Sequence, residues 1–183
     1  MGSSRGVGGR LYNFLSDVQS RGVQAALVTL NLQALAGRPI EEVFLGLADY
    51  ICPTGGTVDE GIARDAFIET IGELATFGIT DLNSLTPEQM NTVFEMYATH
   101  AIEARIANDI GTKSISLPSD LKAIERVQAQ LRDLIRRGVS DALARAIAAT
   151  GTITADRVLD FVTGVYELAF DVLQTLGEAE EDA

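Results

Sequence analysis

Apolar residues recur three or four positions apart along almost the whole chain, the spacing of one helix face, and no strand-like alternation of useful length competes. Leu11, Phe14, Leu15 and Val18 predict a first amphipathic helix from Arg10. Residues 1–9, rich in glycine and serine, read as a flexible leader. Gly22 divides the first helix from a second apolar segment that ends before Gly37. Pro39 suits the first position of a short helix ending near Ile51, and the turn Cys52-Pro53-Thr54-Gly55-Gly56 breaks it. Thr57 and Glu60 have capping-box spacing for a helix to about Phe77, with Ile62, Ala66, Phe67, Ile71, Leu74 and Ala75 on one stripe. Gly78 is suited to close it in a left-handed conformation.

The clearest start signal is Thr86-Pro87-Glu88-Gln89: a cap, a proline at the first helical position and glutamine at the third. That helix should turn Met90, Val93, Phe94, Tyr97, Ala101 and Ile106 inward and end near Ile110. After a polar loop to Pro118, Ser119 or Asp120 can cap a long helix through Ala149. Its stripe is Leu121, Ile124, Val127, Leu131, Leu134, Ile135, Val139, Leu143 and Ile147, with Gly138 as its weak point. A last helix is expected from about Ala155 to Leu176, before an acidic tail at 178–183. The expectation is an all-α, single-domain bundle of about six helices over residues 10–177.

Composition narrows the function classes. The chain has 183 residues and a formal charge of −12, enough length for one domain burying roughly 70% of its unfolded surface. Such a balance argues against broad phosphate-backbone binding. The charge is uneven: +3 over residues 1–38, −11 over 39–103, +3 over 104–149 and −7 over 150–183. Complementary packing between helices is the plainer reading, and a surface divided among differently charged partners the other. No apolar stretch is long enough to span a membrane, no secretory h-region precedes a cleavage site, and Gly6 breaks the myristoylation pattern that Met1-Gly2 begins. A cytoplasmic protein is expected, and the single cysteine excludes an internal disulfide framework.

Chemistry-bearing motifs are sparse. Cys52 and His100 are the only thiol and imidazole, so neither a helical zinc site nor a cofactor is expected, and Cys52 reads as a buried or turn cysteine. Gly6-Val7-Gly8-Gly9 lacks the Gly-Lys-Ser/Thr of a phosphate loop. Lys122, Arg126, Arg132, Arg136, Arg137 and Arg145 outline a basic helix, yet Asp133/Arg137 and Asp141/Arg145 are internal pairs and aromatic stacking partners are missing. A solvated or protein-facing surface is therefore favoured there over nucleic acid. His100 and Glu103 can share one helix face. Asn108 and Asp109 fall at a helix end, where an aspartate opposes the dipole; a structural bond to the 111–117 loop is preferred to a partner site.

Five stretches resemble the C-terminal domain of the QatB family: Ala36–Phe44 (AGRPIEEVF), Gly55–Arg64 (GGTVDEGIAR), Leu85–Gln89 (LTPEQ), His100–Gly111 (HAIEARIANDIG) and Val127–Arg136 (VQAQLRDLIR). The resemblance spans roughly residues 20–150, and 100–111 is its most specific part. QatB is one of the four proteins of the bacterial Qat anti-phage defence system, beside an ATPase, a QueC-like enzyme and a TatD-like nuclease. It is the member without a recognisable enzyme fold, and its relatives carry a long leader rich in Pro, Gly and Asp. Met1-Gly2-Ser3-Ser4 then reads as a remnant of that leader, a natural short form or an expression-vector scar, and the chain as the folded core of a longer protein.

The resemblance implies a non-catalytic interaction module that docks the QueC-like enzyme, and through the system also the ATPase and nuclease. By analogy with related systems, Gly2 would accept a 7-deazaguanine-type modification on a flexible leader that the docked body holds within reach. His100, Glu103, Arg105, Asn108 and Asp109 are the candidate partner-binding residues. Two alternatives stand beside it: a nucleic-acid-sensing adaptor using the 122–145 helix, and an enzyme using His100 and Glu103 for proton transfer.

Overall fold

The computed structural model describes residues 2–52, 55–112, 121–150, 157, 160 and 163–172. The first helix, α1, covers Gly2–Arg21 and so begins eight residues before Arg10. This corrects the expected flexible leader: Ser4, Val7, Gly8 and Gly9 are buried helix residues. Glycine disfavours an isolated helix, but here the missing Cβ lets two helices touch. A Cβ on Gly8 would lie 3.2 Å from Cε1 of Tyr97 and 3.6 Å from Cε2 of Phe94. The Tyr97 hydroxyl donates to the Ser4 carbonyl at 2.9 Å and fastens that contact.

Gly22 ends α1, and α2 follows over Val23–Thr29, with a 3-10 turn at Gln33–Leu35. Helix α3 spans Ile40–Ile51 with Pro39 just outside it, one residue from the expected start. Helix α4 spans Val58–Glu73 and opens on the expected capping box: Thr57 Oγ1 accepts from the Glu60 amide and Glu60 accepts from the Thr57 amide. Its last turn tightens into a 3-10 segment, Leu74–Phe77, which turns Ala75 outward rather than onto the predicted stripe. Gly78 closes it at φ 69°, where its amide reaches the carbonyls of Ala75 and Leu74.

After a short 3-10 turn at Leu82–Ser84, α5 spans Pro87–Thr112. Thr86 and Gln89 cap it reciprocally, at 3.2 and 3.1 Å. Helix α6 spans Leu121–Thr150. Ile135, Val139 and Leu143 are buried and Val127, Leu131, Leu134 and Ile147 partly so, as their spacing predicts. Residues 163–172 are helical, inside the expected final helix. The 113–120 loop with its Ser119/Asp120 cap, the tail 178–183 and the side chains of Leu121 and Ile124 lie outside the described residues.

The result is an all-α single-domain bundle, and no strand occurs among the described residues. Helix α5 is its axis, packed by α1, α4 and α6. The aromatic core joins the elements: Phe44 stacks on Phe67 at 5.8 Å, and Tyr12 meets Phe94 edge-on at 5.9 Å. Gly138 is a contact rather than a weak point, since a Cβ there would stand 3.3 Å from Cγ1 of Val165.

Candidate functional site

The carboxyl half of α5 places one helical turn of polar residues where α1, α4 and the 163–172 segment meet. Asp109 is 2% exposed although it carries a carboxylate. Burial of such a group requires bonded partners, and α5 itself and the 163–172 segment supply them. Arg105 Nε, one turn earlier, lies 3.2 Å from its Oδ1, and Asn108 Nδ2 donates to the same atom at 3.3 Å. The Tyr166 hydroxyl donates to Oδ2. Burial and the bond to Asp109 push the Tyr166 hydroxyl up to about 12, so it remains a donor across the neutral range.

Arg105 also reaches back across the bundle. Its Nη1 bonds Oδ1 of Asp59 at 2.9 Å, and Asp59 Oδ2 accepts the backbone amide of Ser3 at 2.6 Å. Desolvation pushes the Asp59 carboxyl upward, but the Ser3 amide, the amino-terminal charge and Arg105 outweigh it and hold it below 3.8. Burial likewise works against the Arg105 charge, yet Asp109 and Asp59 together raise its affinity for the proton. Asp59 therefore acts as an anionic cap supplied by α4 to the first turn of α1. Gly2 is exposed at that turn, and a Cβ built on it would stand 3.6 Å from Asp59 Oδ2.

His100 and Glu103, one turn earlier on α5, line a different place: a cavity of about 190 Å³ bounded also by Glu73, Phe77, Met96 and Arg132. The imidazole faces α4, with Nδ1 3.2 Å from Glu69 and Nε2 3.4 Å from Glu73, the latter not aligned as a hydrogen bond. Glu103 faces α6, 3.9 Å from Arg132 Nε, and its Oε1 is buried without a hydrogen-bond partner. Desolvation raises the Glu103 carboxyl, with Arg132 and His100 opposing. Glu103 and Arg132 also border an adjoining cavity of about 430 Å³.

Sequence reasoning therefore picked residues of two clusters. Arg105, Asn108 and Asp109 converge on one ionic network that lies beside Gly2, while His100 and Glu103 line a neighbouring cleft. Asp59, Tyr166, Glu69 and Glu73 were missed; they lie on other elements, and nothing in local spacing links them to α5. Cys52 is fully buried, as a structural cysteine should be, and desolvation pushes its thiol to about 11, away from nucleophilic reactivity. Among the described residues no His, Cys, Asp and Glu group is arranged to hold a metal ion, and no helix is long and apolar enough to cross a membrane. On α6, Arg137 donates to the Asp133 carbonyl rather than to its carboxylate.

Comparison with known proteins adds one finding to this geometry. Residues 1–173 match a family model described as QatB, Qat anti-phage system associated protein QatB. The match takes in α1 and the 163–172 segment as well as the region between them. No curated protein and no solved structure matches the chain.

Proposed function

The chain belongs to the QatB family of Qat anti-phage system associated proteins, and from that premise we propose that it serves the system as a non-catalytic docking component in the cytoplasm. Its helical body binds the QueC-like enzyme, which brings it together with the ATPase and the TatD-like nuclease. Gly2, freed by methionine removal, is the acceptor for a 7-deazaguanine-type group. In the transfer, the activated carboxyl carbon forms an amide bond with the Gly2 nitrogen, the activating nucleotide leaves and the amine gives up a proton.

The observation that carries this reading is the exposed Gly2 at the fixed first turn of α1. The Asp59–Arg105–Asp109 network ties that turn to α4, α5 and Tyr166, so the acceptor stands at one place on a folded surface. A docked enzyme then meets it at high effective concentration. Arg105, Asn108 and Asp109 contribute as the supports of this surface, with Asp109 too deeply buried to touch a partner directly, and His100 and Glu103 line the neighbouring cleft as further partner-binding candidates. Intact mass of the protein co-expressed with the QueC-like enzyme tests the reading. An adduct that maps to Gly2 is expected, and an unmodified native Gly2 terminus would refute it.

One observation favours a second reading. The buried atoms His100 Nε2 and Glu103 Oε1 lack hydrogen bonds and border the same 190 Å³ cavity, an arrangement suited to proton transfer. Undiminished phage protection by His100→Ala would dismiss it.

A further inference from the structure

The seam between α3 and α4 carries the next inference. These helices are joined by residues 52–57 and run antiparallel, with Phe44 stacked on Phe67 across the inner side at an interplanar angle of 7°. In an antiparallel pair, the residue after each inward one turns to the same outer side of both helices. Asp49 and Arg64, which follow the buried Ala48 and Ala63, show this directly by their ion pair at 2.7 Å. By the same register Leu45 follows Phe44 and Ile68 follows Phe67, so the two stand opposite each other one turn away from that pair. Leu45 is 54% exposed and Ile68 40%.

Single exposed apolar residues need no explanation, but two large ones facing each other across a helix seam do. Their surroundings are acidic: Glu42, Asp49 and Asp65 are exposed around them, and Arg38 and Arg64 pair with Glu42 and Asp49. Part of the −11 of residues 39–103 therefore faces solvent beside an apolar strip, away from the basic α6, which packs on α5.

We propose that this seam is a docking groove for a basic amphipathic helix of a partner protein, whose apolar face covers Leu45 and Ile68 while its lysines and arginines meet the acidic rim. A second copy of this chain fits less well. Its exposed α6 face is basic but turns Val127, Leu131 and Ile135 inward, which leaves no large apolar anchor for the groove among the described side chains of that helix. The position also suits the docking reading, on which the proposal rests. Asp59, which holds the first turn of α1, lies on the same helix as Ile68, about 14 Å away at 1.5 Å per residue. A partner seated on the seam thus has Gly2 within reach.

The test uses a labelled synthetic helix of about 18 residues, with leucines at one helical face and lysines elsewhere. A version with glutamate in place of lysine accompanies it. Each is titrated into the full chain, its L45D/I68D variant and an L168D control on the exposed face of the 163–172 segment. Thermal unfolding verifies that the variants fold. Binding of the lysine helix is expected, weakened about tenfold or more by L45D/I68D, unchanged in L168D and reduced by salt. Equal binding of the glutamate helix, or indifference to L45D/I68D, overturns the groove. So does sedimentation in which the seam variant abolishes self-association, because a second copy would then be the occupant. The same three proteins are titrated with the QueC-like enzyme. If the enzyme binds all three equally, docking stands and the groove falls; if it binds none while the lysine helix obeys the expectation, the groove stands and that partner falls.

Discussion

Replacing Gly8 with valine is expected to destabilise the whole bundle, although the residue lies in a stretch whose composition resembles a linker. The Cβ would arrive 3.2 Å from Tyr97 Cε1, and Tyr97 is fully buried with its hydroxyl bonded to Ser4, so the ring cannot slide aside. Overpacking of this kind costs about 1–3 kcal/mol. Leaving glycine in a helix interior returns about 0.3 kcal/mol for valine. The net loss is then roughly 1–2.5 kcal/mol, and a chain of this length loses about 2–4 °C of Tm per kcal/mol. Scanning calorimetry should therefore find a Tm lower by about 2–10 °C. Gly6→Ala is the internal control: its Cβ meets only the end of the Arg10 side chain at 3.4 Å, and helix propensity should raise stability by up to about 1 kcal/mol. If both variants unfold at the wild-type temperature and the amides of residues 5–9 exchange at unstructured rates, a start of α1 at Gly2 is refuted.

Two further outcomes follow from the ionic network. Tyr166→Phe removes a donor from the buried Asp109 and should cost about 1–3 kcal/mol in urea unfolding, whereas an unchanged midpoint would show that the 163–172 helix does not rest on that carboxylate. Asp59 has a folded pKa below its ordinary 3.8, so its contribution is complete above that value and is lost as pH falls through the lowered one. The stability gap between wild type and Asp59→Asn should hold from neutral pH to about pH 5 and shrink as pH falls below about pH 3.8; a gap that does not narrow on acidification would refute the assignment.

Much of this fold is legible without coordinates wherever one helix turn carries its own instructions. Thr57 with Glu60, and Thr86 with Gln89, cap helices because donor and acceptor are three residues apart in any helix start. Gly78 closes α4's final turn because glycine, with no Cβ, adopts φ 69° without strain. The inward stripes of α5 and α6 follow from 3.6-residue periodicity alone. Local rules fail at Ala75, where a change of helix type rotates the stripe, and at Gly138, where a cost to the helix is an opening for Val165. The candidate site was legible by half. The His100–Gly111 stretch identified α5 and the family, but not Asp59 or Tyr166, 46 and 57 residues from their partners.

Helix class, cap positions and the apolar faces were thus written into short-range spacing, because they depend on bonds that a helix makes within itself. The role of the first nine residues was not. Their glycines and serines read as a linker in isolation, and become a helix only because Tyr97 and Phe94 of α5 need a surface without Cβ atoms to lie against. Asp109 likewise opposes its own helix dipole until Arg105 and Tyr166 surround it. Such residues obtain their stability from partners distant along the chain, and packing alone brings those partners within bonding distance.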